Sequence, residues 1–344
     1  MKTVLPIDPN SRIALVGGSW SEEEADNKLA FSDGAGRFFE YLMSIAGLNP
    51  AAMLKTSVFN LQPRPTNDIK NLAGPRAEGI KGMPSIASGK YISAKYAPEL
   101  MRLYAELDEF RPNVIIAAGP VATWALLQST ALKKIRGAPQ EGYNGYKVLP
   151  TYHPFTVMRQ YNLFPVVVAD LEKALKQSTF PEIVRPSRFI HVEPTLADLY
   201  SFERDYINTS VQLSMDVETA QTQITCIGFA PSVDRAIVVP FTDDTKALHN
   251  YWPSLEEELE AWAWVRKMCN LRKAVYVGQN YNYDMKFIWQ SYGIECRHAT
   301  DDTMLLHHAL QPEMEKGLGF LASLYTEELS WKFMRPKHTV KKED

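Results

Sequence analysis

The sequence predicts an α/β protein of two domains, the first built on a parallel sheet and the second on a mixed sheet. The chain has 344 residues, more than one hydrophobic core usually organises. In the N-terminal half, short apolar runs alternate with amphipathic segments, whereas strand-like runs follow one another in the C-terminal half. Three prolines loosen the pattern between Gln177 and Pro194. We therefore expect domains at residues 1–180 and 196–344, with residues 181–195 as the linker.

The elements of the first domain follow from apolar runs that end in glycine, proline or polar residues. Strands are predicted at residues 12–17, 54–61, 113–118 and 147–151. Helices are predicted at residues 35–46, 98–109 and 120–128. This alternation is typical of a parallel sheet with helices on both faces, an α/β/α arrangement.

The second domain opens with strands at 211–218, 224–230 and 236–240. An amphipathic helix over 255–268 follows, and a fourth strand at 274–278 leads into a helix that runs to Gly293. Three consecutive strands, then helix, strand and helix, predict a mixed sheet.

Composition excludes several classes of protein. No segment has the roughly 20 apolar residues of a membrane span, and no signal peptide opens the chain. The three cysteines, Cys226, Cys269 and Cys296, show no metal-ligand spacing, which argues against disulfides, zinc or an iron–sulfur cluster and fits the cytoplasm. The net charge of −3 does not indicate a nucleic-acid binder, although a local basic patch would be sufficient for one.

Two carboxylates end the first strand of the second domain. Because side chains alternate along a strand, Asp216 and Glu218 lie on one face, side by side. Neighbouring acids repel each other unless a cation lies between them, and Mg²⁺ prefers such oxygen ligands. A solvent-exposed strand end would explain an isolated pair equally well.

Two further polar segments follow buried strands. The segment Asn280–Asp284 opens a helix after the strand at 274–278, and Asp302 begins a helix over 303–310. Asp301 and Asp302 also fit ordinary acids at a helix N-terminus, where the macrodipole favours them.

Four motifs, SMDVETA, VGQNYNYDMKF, DDTMLLHHAL and KGLGFLASLYT, resemble the DEDD 3′–5′ proofreading exonuclease domain of phage family A DNA polymerases, a ribonuclease H-like fold. The resemblance implies two-metal phosphodiester hydrolysis with Mg²⁺ or Mn²⁺. It implies that Asp216 and Glu218 bind the metals and that Asp284 is an outer ligand. Asn280 would shape the DNA site, and Asp302 would support it.

The third motif of that family, a tyrosine and an aspartate one helical turn apart, has no clear counterpart. Tyr325 precedes its expected position, and Asp344 is the last residue. His338 and Glu343 resemble a His-x4-Asp version only superficially. We expect the site to be completed by a longer polymerase or by a separate polypeptide.

The N-terminal motifs VGGSWSEEE, LAFSDGAGRFFEYL, TSVFNLQPRPTND, RPNVIIAAG and LPTYHPFTVMRQ resemble uracil-DNA glycosylases of the family 4/5 type and their phage relatives. Those enzymes flip a uracil nucleotide out of the stack. The resemblance implies that Phe31 stacks on the base and that His153 lies beside the scissile bond. Taken alone, Phe31 fits a core residue and His153 an ordinary loop histidine.

Departures from the glycosylase pattern predict weak or absent uracil excision. The first loop of that family reads Gly-Glu-x-Pro-Gly, whereas this chain has Gly-Gly-Ser19-Trp20-Ser. Ser57 replaces the base-reading asparagine and lacks the paired donor and acceptor of an amide. Asn60 is close by in the sequence but occupies a different position along the strand. No cysteine of this half is present to hold the family 4 iron–sulfur cluster. Glu22–Glu24 either supply a carboxylate or simply begin a helix.

The two resemblances together predict the front of a phage family A DNA polymerase: a metal-dependent 3′–5′ exonuclease with a glycosylase-like DNA-binding domain. The partners expected are DNA, as single strands or 3′ ends, and a polymerase domain or subunit, in the host bacterial cytoplasm if a bacteriophage encodes the chain. Two alternatives stay open, an active uracil-DNA glycosylase with an accessory nuclease domain and a non-catalytic polymerase assembly subunit. The residues expected to contact DNA are Ser19, Phe31, Ser57, Asn60, His153 and Asn280.

Overall fold

The computed structural model describes residues 12–220 and 222–328. It contains two compact units, one formed by residues 12–184 with 319–328 and one by residues 185–220 with 222–318. The division follows Val184, and residues 319–328 belong to the first unit. Within the described ranges, no helix has the length and apolar character needed to cross a bilayer.

The first unit is organised around a five-stranded sheet in the order β2-β1-β5-β7-β6. Its central strands pair in parallel, and the short β6 pairs antiparallel with β7. A separate two-stranded sheet is formed by β3 and β4. The strands of this unit are β1 Ile13–Ser19, β2 Leu54–Phe59, β3 Ala73–Gly74, β4 Tyr91–Ile92, β5 Val114–Ala118, β6 Gln140–Glu141 and β7 Lys147–Thr151.

Helices cover both faces of this sheet, so each central strand is buried on both sides. Leu15 and Ile116 pack toward one face, whereas Val16 and Ile115 pack toward the other. The helices of this unit before residue 180 are α1 Glu22–Asn27, α2 Gly34–Ile45, α3 Ala97–Phe110, α4 Pro120–Leu127, α5 Leu132–Ile135, α6 Pro154–Arg159 and α7 Phe164–Gln177. The predicted parallel-sheet α/β/α domain is therefore confirmed.

The second unit has a mixed six-stranded sheet in the order β13-β12-β9-β10-β11-β8. The strands β9, β10 and β11 form an antiparallel meander, while β12 runs parallel to both β9 and β13. This confirms the predicted mixed sheet. Its strands are β8 Phe189–His191, β9 Gln212–Ala220, β10 Gln223–Ser232, β11 Arg235–Pro240, β12 Val275–Gly278 and β13 Ala299–Asp302.

The core of the second unit lies on one face of β9, where Leu213, Met215 and Val217 alternate with outward residues. They pack with Trp264 and Ile288 of the covering helices. The helices are α8 Leu196–Phe202, α9 Leu255–Met268, α10 Tyr281–Tyr292 and α11 Thr303–Leu310.

The helix α12 Leu318–Tyr325 packs in the first unit, next to a buried ion pair. Arg136 Nη1 lies 2.9 Å from Asp170 Oδ1, and both side chains are almost fully buried. Arg136 Nη2 donates to Ser323 Oγ at 2.9 Å, and Thr151 Oγ1 donates to Asp170 Oδ2 at 2.8 Å. Lys173 Nζ donates to the Ser323 carbonyl at 2.6 Å. Because buried charges are costly unless paired, these contacts anchor α12 to the first unit.

Candidate functional sites

Asp216 and Glu218 project from the face of β9 opposite the core. Asp216 is exposed and Glu218 half-buried, whereas Met215 and Val217 beside them are buried. The two acids therefore share one face, as the period of a strand predicts. They lie toward the carboxyl end of β9, next to the start of α10.

Asp284 joins this pair from the first turn of α10. It is only 4% exposed, and its Oδ1 accepts a hydrogen bond from the backbone N–H of Val217 at 2.9 Å. The pKa of Asp284 is raised to about 6, chiefly by burial and to a smaller extent by the negative charges of Asp216 and Glu218. The hydrogen bond from Val217 opposes this shift. Three acids thus influence one another at the junction of β9 and α10.

Asp302 holds the turn that opens α10. Its Oδ1 accepts from the backbone N–H of Asn280 at 3.0 Å, and its Oδ2 accepts from that of Tyr281 at 2.8 Å. It also caps α11 through the backbone N–H of Met304 at 2.8 Å. Asp302 is therefore both a helix cap and a support for the neighbouring turn. Asn280 takes a left-handed backbone conformation there, with a φ of 55°, and its exposed side chain does not cap the helix.

The three acids provide the oxygen donors that Mg²⁺ and Mn²⁺ prefer, and their mutual repulsion is of the kind a cation relieves. In residues 12–220 and 222–328, however, no set of three His, Cys, Asp or Glu side chains is arranged tightly enough to hold a metal ion. The donor chemistry fits, but the side chains are not gathered around one point. Tyr325 lies in α12, in the first unit. His338, Glu343 and Asp344 lie outside the described residues.

A cavity of about 440 Å³ opens in the first unit at the carboxyl ends of β1 and β5. This is the edge at which open parallel sheets usually bind ligands. Polar residues from four different segments converge on it. The lining includes Ser19, Trp20, Glu24, Asp33, Asp68 and His153.

His153 lies at the start of α6, half-buried against the cavity. Its Nδ1 accepts from the backbone N–H of Phe155 at 3.3 Å, so we assign the proton of the neutral ring to Nε2. Burial lowers the pKa of His153 to about 4, and Asp33 opposes this shift. Gly119 permits the close approach of this loop, because a Cβ there would lie 2.9 Å from the His153 Cβ and the glycine φ is +90°.

Phe31 is a core residue that does not line the cavity. It is 6% exposed, its ring lies 6.2 Å from that of Phe39, and a Cβ on Gly17 would lie 3.0 Å from its Cζ. Glu24 fixes its backbone by accepting from the Phe31 N–H through one oxygen and from the Ser21 N–H through the other. Glu24 is thus a capping residue that fills its acceptors locally, which favours the helix-start interpretation of Glu22–Glu24.

The other residues expected to read a base are divided between cavity and core. Ser19 and Trp20 line the cavity, and the Trp20 Nε1 has no hydrogen-bond partner among the described residues. Ser57 is 2% exposed, pairs with Gly17 across the sheet and does not line the cavity. Asn60 donates its backbone N–H to Glu99 Oε2 at 3.0 Å, while its own Oδ1 is buried without a described partner.

Sequence reasoning missed Asp33 and the ion pair beneath α12. Asp33 caps α2 by accepting from the Gly36 N–H at 2.8 Å, and it also lines the cavity. Because aspartate is favoured directly before a helix, the sequence could have indicated Asp33 as the N-cap of α2. Arg136 and Asp170 are 34 positions apart and carried no comparable local signal.

Comparison with known proteins matches the two halves separately. Residues 6–176 match the uracil DNA glycosylase superfamily, and residues 193–337 match the 3′-5′ exonuclease family. A type-4 uracil-DNA glycosylase of Thermotoga maritima is 27% identical over 169 residues, which cover 48% of this chain and 77% of that protein. A DNA polymerase of Bacillus phage SP01 is 25% identical over 162 residues, which cover 47% of this chain. That match spans only 15% of the polymerase.

Among solved structures, Escherichia coli RNase D is 11% identical, with a TM-score of 0.32, covering 46% of this chain and 39% of that one. The glycosylase and exonuclease matches together leave only the termini and the segment between the units unassigned. The first half of the chain is thus similar to the uracil DNA glycosylase superfamily, and the second half to the 3′-5′ exonuclease family.

Proposed function

We propose that this chain is the proofreading module of a phage family A DNA polymerase, a metal-dependent 3′–5′ DNA exonuclease whose first domain binds DNA. The observation that carries the proposal is the placement of Asp216 and Glu218 on one face of β9, with Asp284 hydrogen-bonded to the strand between them. A site of mutually repelling acids suits the capture of divalent cations beside a phosphodiester. The match to a phage polymerase supports the cellular role.

Asp216 and Glu218 would hold Mg²⁺ or Mn²⁺, with Asp284 as a further oxygen donor. When bound, the two ions supply an activated water and stabilise the leaving 3′ oxygen. The Val217 N–H holds Asp284 in place beside the strand. Asp302 contributes by fixing the Asn280 turn, so it is a positioning residue.

The glycosylase-like domain is proposed to bind DNA without excising uracil efficiently. Phe31 is packed in the core, and Glu24 uses both carboxylate oxygens on backbone groups. The bulk of Trp20 stands at the cavity, and Ser57 lacks the two-sided contact of an amide. His153 lines the cavity and, with its proton on Nε2, would donate a hydrogen bond to a bound base.

Degradation of a 5′-labelled single strand tests the nuclease proposal. With Mg²⁺ or Mn²⁺ the expected product is a ladder shortened from the 3′ end, and EDTA should abolish it. Intact substrate in every metal condition would contradict autonomous activity. Rescue by an added polymerase fragment carrying the third motif would then identify a site completed in trans.

An active uracil-DNA glycosylase is the second candidate, favoured by the cavity and the neutral His153. It predicts release of uracil in EDTA, followed by strand cleavage at the abasic site under alkali. Loss of that release in His153→Ala would establish this function. Neither activity, together with tight binding to a polymerase, would indicate an assembly subunit.

A further inference from the structure

A second, larger cavity of about 790 Å³ lies in the exonuclease unit, away from the three acids. Its residues come from the end of α9, the turn before β12 and the segment between α10 and β13. They therefore gather at the amino ends of β12 and β13. Asn280 and Asp302 lie at the carboxyl ends of the same strands, at the opposite edge of the sheet.

The charge of this cavity is concentrated in arginines. Arg297 pairs with Glu295 at 2.6 Å, with both side chains more than half exposed. Arg266 and Arg272 are also exposed, and neither forms an ion pair with any described residue. Two guanidinium groups without a partner therefore line one concave surface of a chain whose net charge is −3. Guanidinium forks match phosphate geometry, so the cavity suits a polyanion.

An exposed face of α10 adjoins this cavity. A neighbouring cavity of about 510 Å³ is lined by Asn282, Lys286 and Trp289, spaced as on one helical face. The two cavities share Glu295. Trp289 is 57% exposed, an unusual position for the largest apolar side chain. Cations beside an exposed aromatic ring are the arrangement by which proteins grip single-stranded nucleic acid.

We propose that the α10 face and the arginine cavity bind the single strand whose 3′ end lies at Asp216 and Asp284. The inference rests on the proposed function and extends it by assigning a path to the substrate. The helix α10 begins at the acids and ends at the arginine cavity, a length of about 18 Å. Nucleotides on the 5′ side of the cleaved bond would stack on Trp289, and their phosphates would reach Arg266 and Arg272.

The test measures binding of a 5′-fluorescein oligothymidylate to the full chain by fluorescence anisotropy, in EDTA so that no cleavage occurs. The double variant Arg266→Gln/Arg272→Gln should bind at least tenfold more weakly. The slope of log K against log salt should shrink by about 1.4, about 0.7 for each lost phosphate contact. Trp289→Ala should weaken binding about fivefold or more and leave the slope unchanged, because stacking releases no counterions.

The matched control is Arg188→Gln/Arg204→Gln, which removes the same charge from exposed positions of the same unit. Equal weakening by the control and the cavity variant would overturn the proposal, because it would show only a general loss of charge. Unchanged binding in the cavity variant would also overturn it. Polyglutamate binding as tightly as the oligonucleotide, without dependence on Trp289, would indicate an acidic peptide ligand and overturn it as well.

Failure of the nuclease proposal can be distinguished from failure of the proposed DNA path. Binding in EDTA and degradation in Mg²⁺ are measured separately on the same cavity variants, so the path and the nuclease assignment are tested independently. If the chain never degrades DNA, even with the added polymerase fragment, but the cavity variants weaken binding as expected, the path stands and the nuclease assignment fails. If degradation proceeds and the cavity variants bind normally, the path alone is wrong.

Discussion

Asp284 Oδ1 accepts the backbone N–H of Val217 at 2.9 Å, which ties the acid of α10 to the strand between Asp216 and Glu218. One hydrogen bond thus sets the distance between two motifs that lie 67 positions apart in the sequence. The acid is held inside the protein while its two neighbours stay accessible. This arrangement leads directly to the first two predictions.

Asp216→Ala should lower metal-dependent 3′ degradation by a factor of at least 100, because the site loses a carboxylate expected to contact the metals. Its stability should change by no more than about 0.5 kcal/mol, since Asp216 is exposed. Initial rates on a labelled single strand, with thermal unfolding alongside, measure both effects. The matched control is Asp244→Ala, at a fully exposed acid of the same unit. Degradation near the original rate in Asp216→Ala would refute the assignment.

Asp284→Asn should stabilise the metal-free protein at pH 8 and have little effect at pH 4. The pKa of Asp284 is about 6 in the folded state against 3.8 as its ordinary value, so stability falls as pH rises between them. The amide of the variant does not ionise, so this loss of folding stability is absent. The pKa difference limits the loss to about 3 kcal/mol. Calorimetric unfolding in EDTA at the two pH values measures it. Equal stability of both proteins at pH 8 would show that ionised Asp284 does not lower the free energy of unfolding.

His153→Gln should make the first unit less sensitive to acid. The pKa of His153 is lowered to about 4 from 6.5, so on acidification the unfolded chain takes up a proton before the folded chain does. Stability is therefore present above about pH 6.5 and lost as pH falls toward 4. The melting temperature should drop less between pH 7 and pH 5 in the variant than in the unmodified chain. Parallel drops would show that folding does not lower the pKa of His153.

Arg136→Met should destabilise the first unit by about 3 kcal/mol or more, because it leaves Asp170 buried without its partner. Ser323→Ala removes one hydrogen bond to that arginine and should cost about 1 kcal/mol. In the double variant the Ser323 effect should largely disappear, since its partner is already absent. Urea unfolding of the four proteins measures this coupling. Strict additivity would show that α12 does not depend on the ion pair.

Most of the fold could be predicted because its elements are marked locally. The helix over 255–268 and the strand over 147–151 were predicted with the bounds that the structure shows. Apolar periodicity and flanking breakers carry this information within each segment. The helix α7 at Phe164–Gln177 was not predicted, although its apolar face packs on the sheet.

The sites were harder to predict because they depend on distant contacts. Strand alternation alone placed Asp216 and Glu218 on one face. The surroundings of Glu24 and Phe31 depend instead on a hydrogen bond between them and on core packing, which motif order does not encode. Arg266 and Arg272 lie in one short segment, but Arg297 follows β12 and α10, so no short window of sequence reveals the whole cluster.

The packing of α12 against Arg136 has a consequence for synthesis of the chain. The ribosome releases the N-terminal segment first, and domains commonly fold in that order. Here Ser323, which accepts a hydrogen bond from the buried Arg136, is made 187 positions after it and follows the entire second unit. The first unit therefore lacks the packing of α12 until the second unit has been translated. A gene truncated between the two domains would encode a first unit without α12 and without the hydrogen bond from Arg136 to Ser323.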